Sequence, residues 1–330
     1  MTKQTDKTIS VAPMMDWTDR HCRYFHRLIA PSITLYTEMV TTGALLHGHA
    51  ERFLHYDPTE KPVVLQLGGS NPDDLAESAK MGEDAGYNEV NLNCGCPSDR
   101  VQSGQFGACL MGEPELVADC IQAMREAVSI PVTVKCRIGI DDAPVEEMLD
   151  KFVSTVSRET HGVSNCNSFI IHARKAWLHG LSPKENREIP PLQHEVVENI
   201  KKNYPHLDIQ LNGGIRSMED IEKHLKTFDG VMIGREAYQN PWFLREIEQK
   251  LYGTADLLTP ETIIERMIYY AEKQAELYET PLKSISRHMT GLFQGKPGAR
   301  RWRQILSTEV HEKGAMPEIL KRAYSEAFSA

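Results

Sequence analysis

Along the chain, short runs rich in Val, Ile and Leu alternate with stretches of helical period, and the alternation persists from Ile9 to Arg235. The runs are Ile9–Met14, Ile33–Val40, Pro62–Gly69, Glu89–Cys94, Pro131–Gly139, Ser168–Arg174, Asp208–Ile215 and Gly230–Arg235. Between them the pattern predicts helices such as Pro72–Ala85, opened by an Asn71 cap, and Pro114–Ala127, whose Leu116, Val117, Cys120, Ile121 and Met124 make one apolar stripe. Eight strand-then-helix units predict an α/β chain folded as a parallel (β/α)8 TIM barrel, whereas a doubly wound sheet would need fewer strands or a topological switch. Beyond Gly253 the pattern changes. From Thr259 onward no run reads as a strand, and Pro260 opens a helix carrying Ile263, Ile264, Met267, Ile268 and Ala271. Gly295, Pro297 and Gly298 break that helical pattern once. The expected organisation is a barrel over residues 1–253 and a small all-helical domain over residues 254–330.

Composition narrows the function classes. With 41% hydrophobic and 25% charged residues over 330 positions, neither a disordered nor a fibrous protein is expected. The 37 basic and 46 acidic residues leave a net charge of −9, so bulk charge does not recommend a polyanionic partner. The longest stretch without a charged residue, Thr160 to Ala173, falls short of the ~20 apolar residues that span a bilayer, so no membrane helix is expected. The first residues lack the apolar run of a secretory signal. Seven scattered cysteines without a CxxC pair argue against a disulfide framework and a structural zinc, and a reducing cytoplasm fits best.

In a parallel barrel the active site lies at the strand C-termini, so the polar residues closing each strand form one constellation. They are Gln66, Asn93, Lys135 with Arg137, His172 with Arg174, and Asn212. Lys135 and Arg137 share one strand face without a carboxylate beside them, and two cations there call for an anion: a phosphate, a substrate carboxylate or a reduced flavin ring. Asn212-Gly213-Gly214 and Gly234-Arg235 place bare backbone N–H groups after strands seven and eight, where barrels bind phosphate. Strand four ends in Asn93-Cys94-Gly95-Cys96-Pro97, followed by a long loop, through Gly104 to Ala108, suited to a lid. No histidine in the motif can form a thiolate pair, so a cysteine there reads better as a proton donor than as a nucleophile. Alternation turns Cys94 away from the site and leaves Cys96 as the candidate.

These motifs, with Ala12-Pro13-Met14-Met15-Asp16-Trp17-Thr18-Asp19 at strand one, together resemble the tRNA-dihydrouridine synthases, and Ser182-Pro183-Lys184-Glu185-Asn186-Arg187 looks like the bacterial A branch. The likeness covers nearly the whole chain. It implies an FMN enzyme that reduces the C5–C6 bond of a uridine in the D-loop of tRNA, at positions 20 and 20a, with NADPH reloading the flavin. Motif by motif, it implies that Pro13, Met14 and Met15 border the flavin ring, that Gln66 and Lys135 contact its pyrimidine edge, and that His172 lies against it. Asn212, Gly213, Gly214, Gly234 and Arg235 would hold the phosphate, and Asn93 the target base. Cys96 would give a proton to C5 after hydride reaches C6. Arg137, Arg174, Lys184 and Arg187 would meet the tRNA near the barrel mouth, and a monomer without a metal is expected.

The acidic net charge hides a local exception. From Leu282 to Thr308 there are six Lys or Arg and no Asp or Glu. Arg287, Arg300 and Arg303 fall on helix faces opposite apolar stripes, and with Lys283 they read as a phosphate-binding surface in preference to a merely solvated face. Two rival readings remain at this point: a Schiff-base lyase or aldolase using Lys135, and a non-catalytic RNA-binding protein that leaves the strand-end constellation without a purpose.

Overall fold

The computed structural model describes residues 6–98, 104–160 and 163–328. Eight parallel strands close a barrel: β1 (Thr8–Val11), β2 (Thr34–Thr41), β3 (Val63–Gly68), β4 (Glu89–Cys94), β5 (Val132–Arg137), β6 (Ser168–His172), β7 (Asp208–Asn212) and β8 (Gly230–Ile233). Each pairs with its sequence neighbour, and β1 closes the ring on β8 through Ile9 opposite Val231. All eight expected runs are strands. Five of them (Ile9–Met14, Pro131–Gly139, Ser168–Arg174, Asp208–Ile215, Gly230–Arg235) stop two to three residues before the expected end. After β7 the chain peels off the ladder because Gly213 and Gly214 adopt φ of 111° and 81°, outside any strand.

The helices follow their caps. Asp19 accepts from the N–H groups of His21 and Cys22 to start α1 (Arg20–Ile29). Asn71 caps α2 (Pro72–Asp84), and α3 runs over Pro114–Ala127. A capping box between Ser217 and Asp220 opens the helix after β7. Two short helices after β2, Thr42–Leu46 and Ala50–Leu54, carry too few apolar positions for a periodic signal.

Segment 158–167, between the fifth helix unit and β6, holds a short antiparallel pair, Glu159–Thr160 with Val163–Ser164. Residues 161–162 lie outside the described residues. Asn165 donates from Nδ2 to the Ala118 carbonyl (2.7 Å) and Arg158 pairs with Glu115, so the segment is fastened to α3 at the end of the barrel remote from the site.

Beyond Gly253 every described element is helical: α4 (Pro260–Tyr278), α5 (Leu282–Ser286), α6 (Ala299–Thr308) and α7 (Ile319–Phe328). Tyr270 of α4 stacks on Tyr24 of α1 at 4.0 Å and its hydroxyl meets His21 at 2.8 Å. Trp302 is fully buried, with its indole N–H donating to the Met289 carbonyl. No helix among the described residues is long and apolar enough to cross a membrane.

Candidate active site

The constellation expected from the strand ends assembles at the barrel mouth. Gln66 and Asn93 are buried, and the Asn93 amide donates to Gln66 Oε1 at 2.8 Å. Asn93 Oδ1 accepts from the N–H groups of Gly95 and Cys96, both at 3.0 Å, so the amide shapes the turn that carries Cys96. Cys94 is buried away from the mouth, as alternation requires, while Cys96 is partly exposed and its thiol lies 3.5 Å from the Ser98 hydroxyl. The far end of the loop returns when Ala108 N–H donates to the Cys96 carbonyl. Residues 99–103 of the loop expected as a lid lie outside the described residues; Phe106, further along the same loop, packs near Gly68 and Met39.

Lys135 is half-buried beside Asn93 on the neighbouring strand, and among the described residues its ammonium has no hydrogen bond or ion pair. Burial, and then the Arg137 charge, push its ammonium down to about 8. Arg137 is used differently. It is buried, and it donates to the carbonyls of Gly95 (3.0 Å), Lys175 (3.0 Å) and Asn186 (2.9 Å), tying three loops together at the mouth. Asn186 is itself fully buried, with its amide bonded to Trp177 and Leu181, which is how the Ser182–Arg187 stretch is folded.

His172 is held well below the usual imidazole range by burial, and then by Arg137, Lys135, Arg174 and Arg187, so it remains neutral. A Cβ on Gly213 would stand 2.8 Å from His172 Cδ2; only glycine allows this approach and the positive φ together. Asn212 donates to the Met232 carbonyl and so links the ends of β7 and β8. A Cβ on Gly234 would meet nothing within 4 Å. Arg235 pairs with Glu188 at 2.6 Å, and Arg174 reaches the Pro190 carbonyl. Arg174 is lowered by burial and by the charges of Arg235 and Arg216. Arg216 thus joins this cationic group although the strand-end pattern did not single it out; its place in the loop after β7 is the signal that could have found it. Pro13 and Met14 are half-buried at the end of β1, and Met15 is exposed. Lys184 and Arg187 are exposed, and among the described residues their side chains have neither hydrogen bond nor ion pair.

At the helical end, Lys283, Arg300 and Arg303 are exposed opposite the buried Trp302, Ile305 and Leu306. Arg287 is also exposed but pairs with Asp19 at 2.7 Å. His288 completes that clasp, meeting Asp19 at 3.0 Å and the Tyr238 hydroxyl at 3.1 Å, while Tyr238 stacks on Trp17 at 4.4 Å.

The barrel floor is polar as well. Burial pushes the Glu89 carboxyl up to about 7. A carboxyl whose folded value is raised above 4.5 keeps its stability contribution at acid pH and loses it as pH rises through 7. Glu89→Gln removes that loss. We expect its melting temperature to exceed that of the parent by an amount that grows between pH 5 and pH 8, about 1–2 kcal/mol at the upper end after allowing for solvent access; a gap independent of pH would refute the assignment.

A closed parallel barrel with an ammonium unpaired among the described residues, a thiol and glycine turns at its strand C-termini has the layout of a barrel enzyme. The structure is similar in fold to morphinone reductase (TM-score 0.51, 13% identity, covering 78% of this chain and 88% of that one) and to a 2-naphthoyl-CoA reductase complex (TM-score 0.54, 11% identity, 77% and 51%). The family model for dihydrouridine synthase matches residues 10–329, and the chain belongs to that family. It is 55% identical to tRNA-dihydrouridine(20/20a) synthase of Vibrio cholerae serotype O1, over 96% of each chain. It is 56% identical to the proteins of that name from Shewanella oneidensis (98% of this chain, 94% of that one) and Escherichia coli K12 (95% and 90%).

Proposed function

We propose that the protein is a tRNA-dihydrouridine synthase of the 20/20a type, acting with FMN and NADPH on uridines 20 and 20a of the D-loop of tRNA. The observation that carries the reading is the partnerless ammonium of Lys135 sharing one barrel mouth with Asn93 and Cys96, in a chain of this family. The residues present fit the cofactor. Lys135 lacks an anion, Gly213 and Gly214 open their backbone by positive φ, Gly234 leaves empty space, and Arg174, Arg216 and Arg235 gather positive charge, with Glu188 beside Arg174 and Arg235. FMN has the two features this site calls for, a phosphate and a ring that becomes anionic on reduction. Bound there, it supplies the two-electron reduction of the uridine C5–C6 bond and is reloaded by NADPH.

The chain's own residues do the rest. Gly213, Gly214, Gly234, Asn212 and Arg235 hold the phosphate, and Lys135 with Gln66 faces the charge-bearing edge of the ring. Neutral His172 packs against the ring without opposing the Lys135 charge. Pro13, Met14 and Met15 cover its other border. Asn93 orients the base, and Cys96 Sγ delivers a proton to C5. Arg137 holds the loops that frame the base, while Arg174, Lys184 and Arg187 meet the tRNA at the mouth. A uridine must leave its stack to reach this depth, at a few kcal/mol. We assign the anchoring to the helical part, residues 254–330, through Lys283, Arg300 and Arg303, with Arg287 fixed in the Asp19 clasp. Two experiments test the reading. The purified protein is expected to release FMN on heat denaturation and to form dihydrouridine in unmodified tRNA only with NADPH; release of FAD, or no flavin after reconstitution, would overturn it. Replacing Arg300 and Arg303 together by Glu should weaken tRNA binding about tenfold or more and reduce its salt slope by about two, with flavin reduction by NADPH unchanged; unaltered affinity and slope would move the RNA elsewhere.

A further inference from the structure

The interior of the barrel contains an unbroken hydrogen-bond chain of one polarity, running from its floor to the mouth. At the floor, Thr133 Oγ1 donates to Glu89 Oε1 at 2.5 Å, and the Tyr36 hydroxyl points to the same oxygen at 3.4 Å. Asn91 Nδ2 donates to Thr133 Oγ1 (2.9 Å), Gln66 Nε2 to Asn91 Oδ1 (2.8 Å), and Asn93 Nδ2 to Gln66 Oε1 (2.8 Å). Asn93 Oδ1 then receives the N–H groups of Gly95 and Cys96. Glu89, Asn91 and Asn93 lie at alternate positions of one strand face, so the chain climbs about 13 Å at ~3.3 Å per residue.

The two ends of the chain agree on its polarity. A threonine hydroxyl has one proton; with that proton on Glu89, its oxygen can only accept, so Asn91 must turn its NH2 toward Thr133 and its carbonyl toward Gln66. The same constraint passes upward and leaves Gln66 with its carbonyl on Asn93. Backbone donors at Gly95 and Cys96 demand the same orientation from above. Each amide in between uses one of its two N–H bonds in the chain, and Gln66 and Asn93 each keep the other outside it. Asp208, a further carboxylate at the floor, is engaged by Ser168 Oγ and Gln210 Nε2.

We propose that Glu89 and Thr133 are positioning residues: as the terminal acceptor and relay of this chain, they fix the amide orientation of Asn91 and Gln66 to match the one that backbone donors impose on Asn93, so that Gln66 and Asn93 both offer N–H donors at the mouth. This rests on the reading of Gln66 and Asn93 given above. Without the acceptor, the Thr133 proton turns to Asn91 and reverses that amide, which then sets an NH2 against Gln66; only Asn93, held by its two backbone donors, still favours the original orientation of Gln66. A flipped amide presents an oxygen where the flavin edge or the base requires a donor.

The test uses the FMN-loaded full chain with unmodified tRNA. Thr133→Val removes the relay at nearly constant volume. It is expected to lower kcat for dihydrouridine formation by at least about tenfold, to leave KM for tRNA within twofold, and to shift the bound flavin's visible absorption. Thr133→Ser, which restores the hydroxyl, and Glu89→Gln, which keeps an acceptor oxygen, should recover most of the kcat and the parental spectrum. Glu89→Leu should behave as Thr133→Val; if that variant does not fold, the Thr133 pair still decides. Parental kcat and spectrum in Thr133→Val would overturn the proposal, as would equal impairment of Thr133→Val and Thr133→Ser, which marks packing as the cause. A parent chain that binds no flavin or forms no dihydrouridine would instead overturn the proposed function, before any variant is compared.

Discussion

Cys96→Ala is expected to bind FMN, accept electrons from NADPH at the parental rate, and lose uridine reduction by ~10²-fold or more, the usual effect of removing a general acid. The thiol is partly exposed at the end of a turn whose two N–H groups are fixed on Asn93 Oδ1, so its loss should leave the turn intact. Cys94 is a control with the opposite environment. It is fully buried, packed behind the strand with Cys136 as its register partner, and burial raises its thiol well above the usual range. Cys94→Ala should cost stability by cavity formation and leave turnover per folded molecule unchanged. Stopped-flow traces of the two half-reactions separate these outcomes; a Cys96→Ala enzyme with parental turnover of uridine would move the acid elsewhere.

Lys135→Gln carries the second large effect, and it has two opposite signs. Without an anion the half-buried ammonium is a burden, since its folded value of about 8 lies below 10.5. Between pH 8 and 10.5 the unfolded chain binds more protons than the folded one, so the parent gains stability as pH rises through that window and is least favoured below it. The flavin-free Lys135→Gln protein should therefore melt higher than the parent at pH 7, by about 1–2 kcal/mol after discounting for solvent access, with the gap closing by pH 10.5. Flavin binding should change the other way, weakening about 30-fold or more, as expected when one partner of a buried charge pair is removed. Calorimetric melts of flavin-free protein and fluorescence titration with FMN give both numbers. A variant that is less stable and binds equally well would mean that Lys135 serves packing and not charge.

Fold and site differ in how far the sequence carries them. The barrel was legible because each strand is a run of Val, Ile and Leu ended by glycine or a polar residue, and each cap, such as Asn71 before Pro72, is local. Lys135 was legible for the same reason: what sets it apart is the lack of a carboxylate on its own strand face. Arg137 stands two residues further on and looks equivalent in sequence. Its three carbonyl partners lie between 38 and 49 residues away, so its use as a loop fastener depends on where those loops fold. Arg287 is the extreme case, since its partner Asp19 is 268 residues distant and a basic stretch cannot announce that one of its members is already engaged. Arg235 with Glu188 and the cationic group around Arg216 were hidden in the same way. The inward stripe of Glu89, Asn91 and Asn93 was readable in principle as polar residues at alternate positions; what alternation could not supply was the relay through Thr133 and Gln66 on the neighbouring strands.

The apolar interior does not stop at residue 253. Leu28 and Ile29 of α1, Leu244 and Ile247 after the last strand, and Ile263, Met267, Ile285 and Trp302 of the helical part belong to one continuous buried cluster. Such a shared interior couples the melting of the two parts, since releasing the helices strips cover from the outer helical ring of the barrel. Heat or urea should therefore unfold the chain in one transition, with the Trp302 fluorescence change coincident with loss of barrel ellipticity. A chain ending at residue 253 should expose the Tyr24 and Leu28 face of α1 and aggregate, because the barrel and the helical part are not separable folding units.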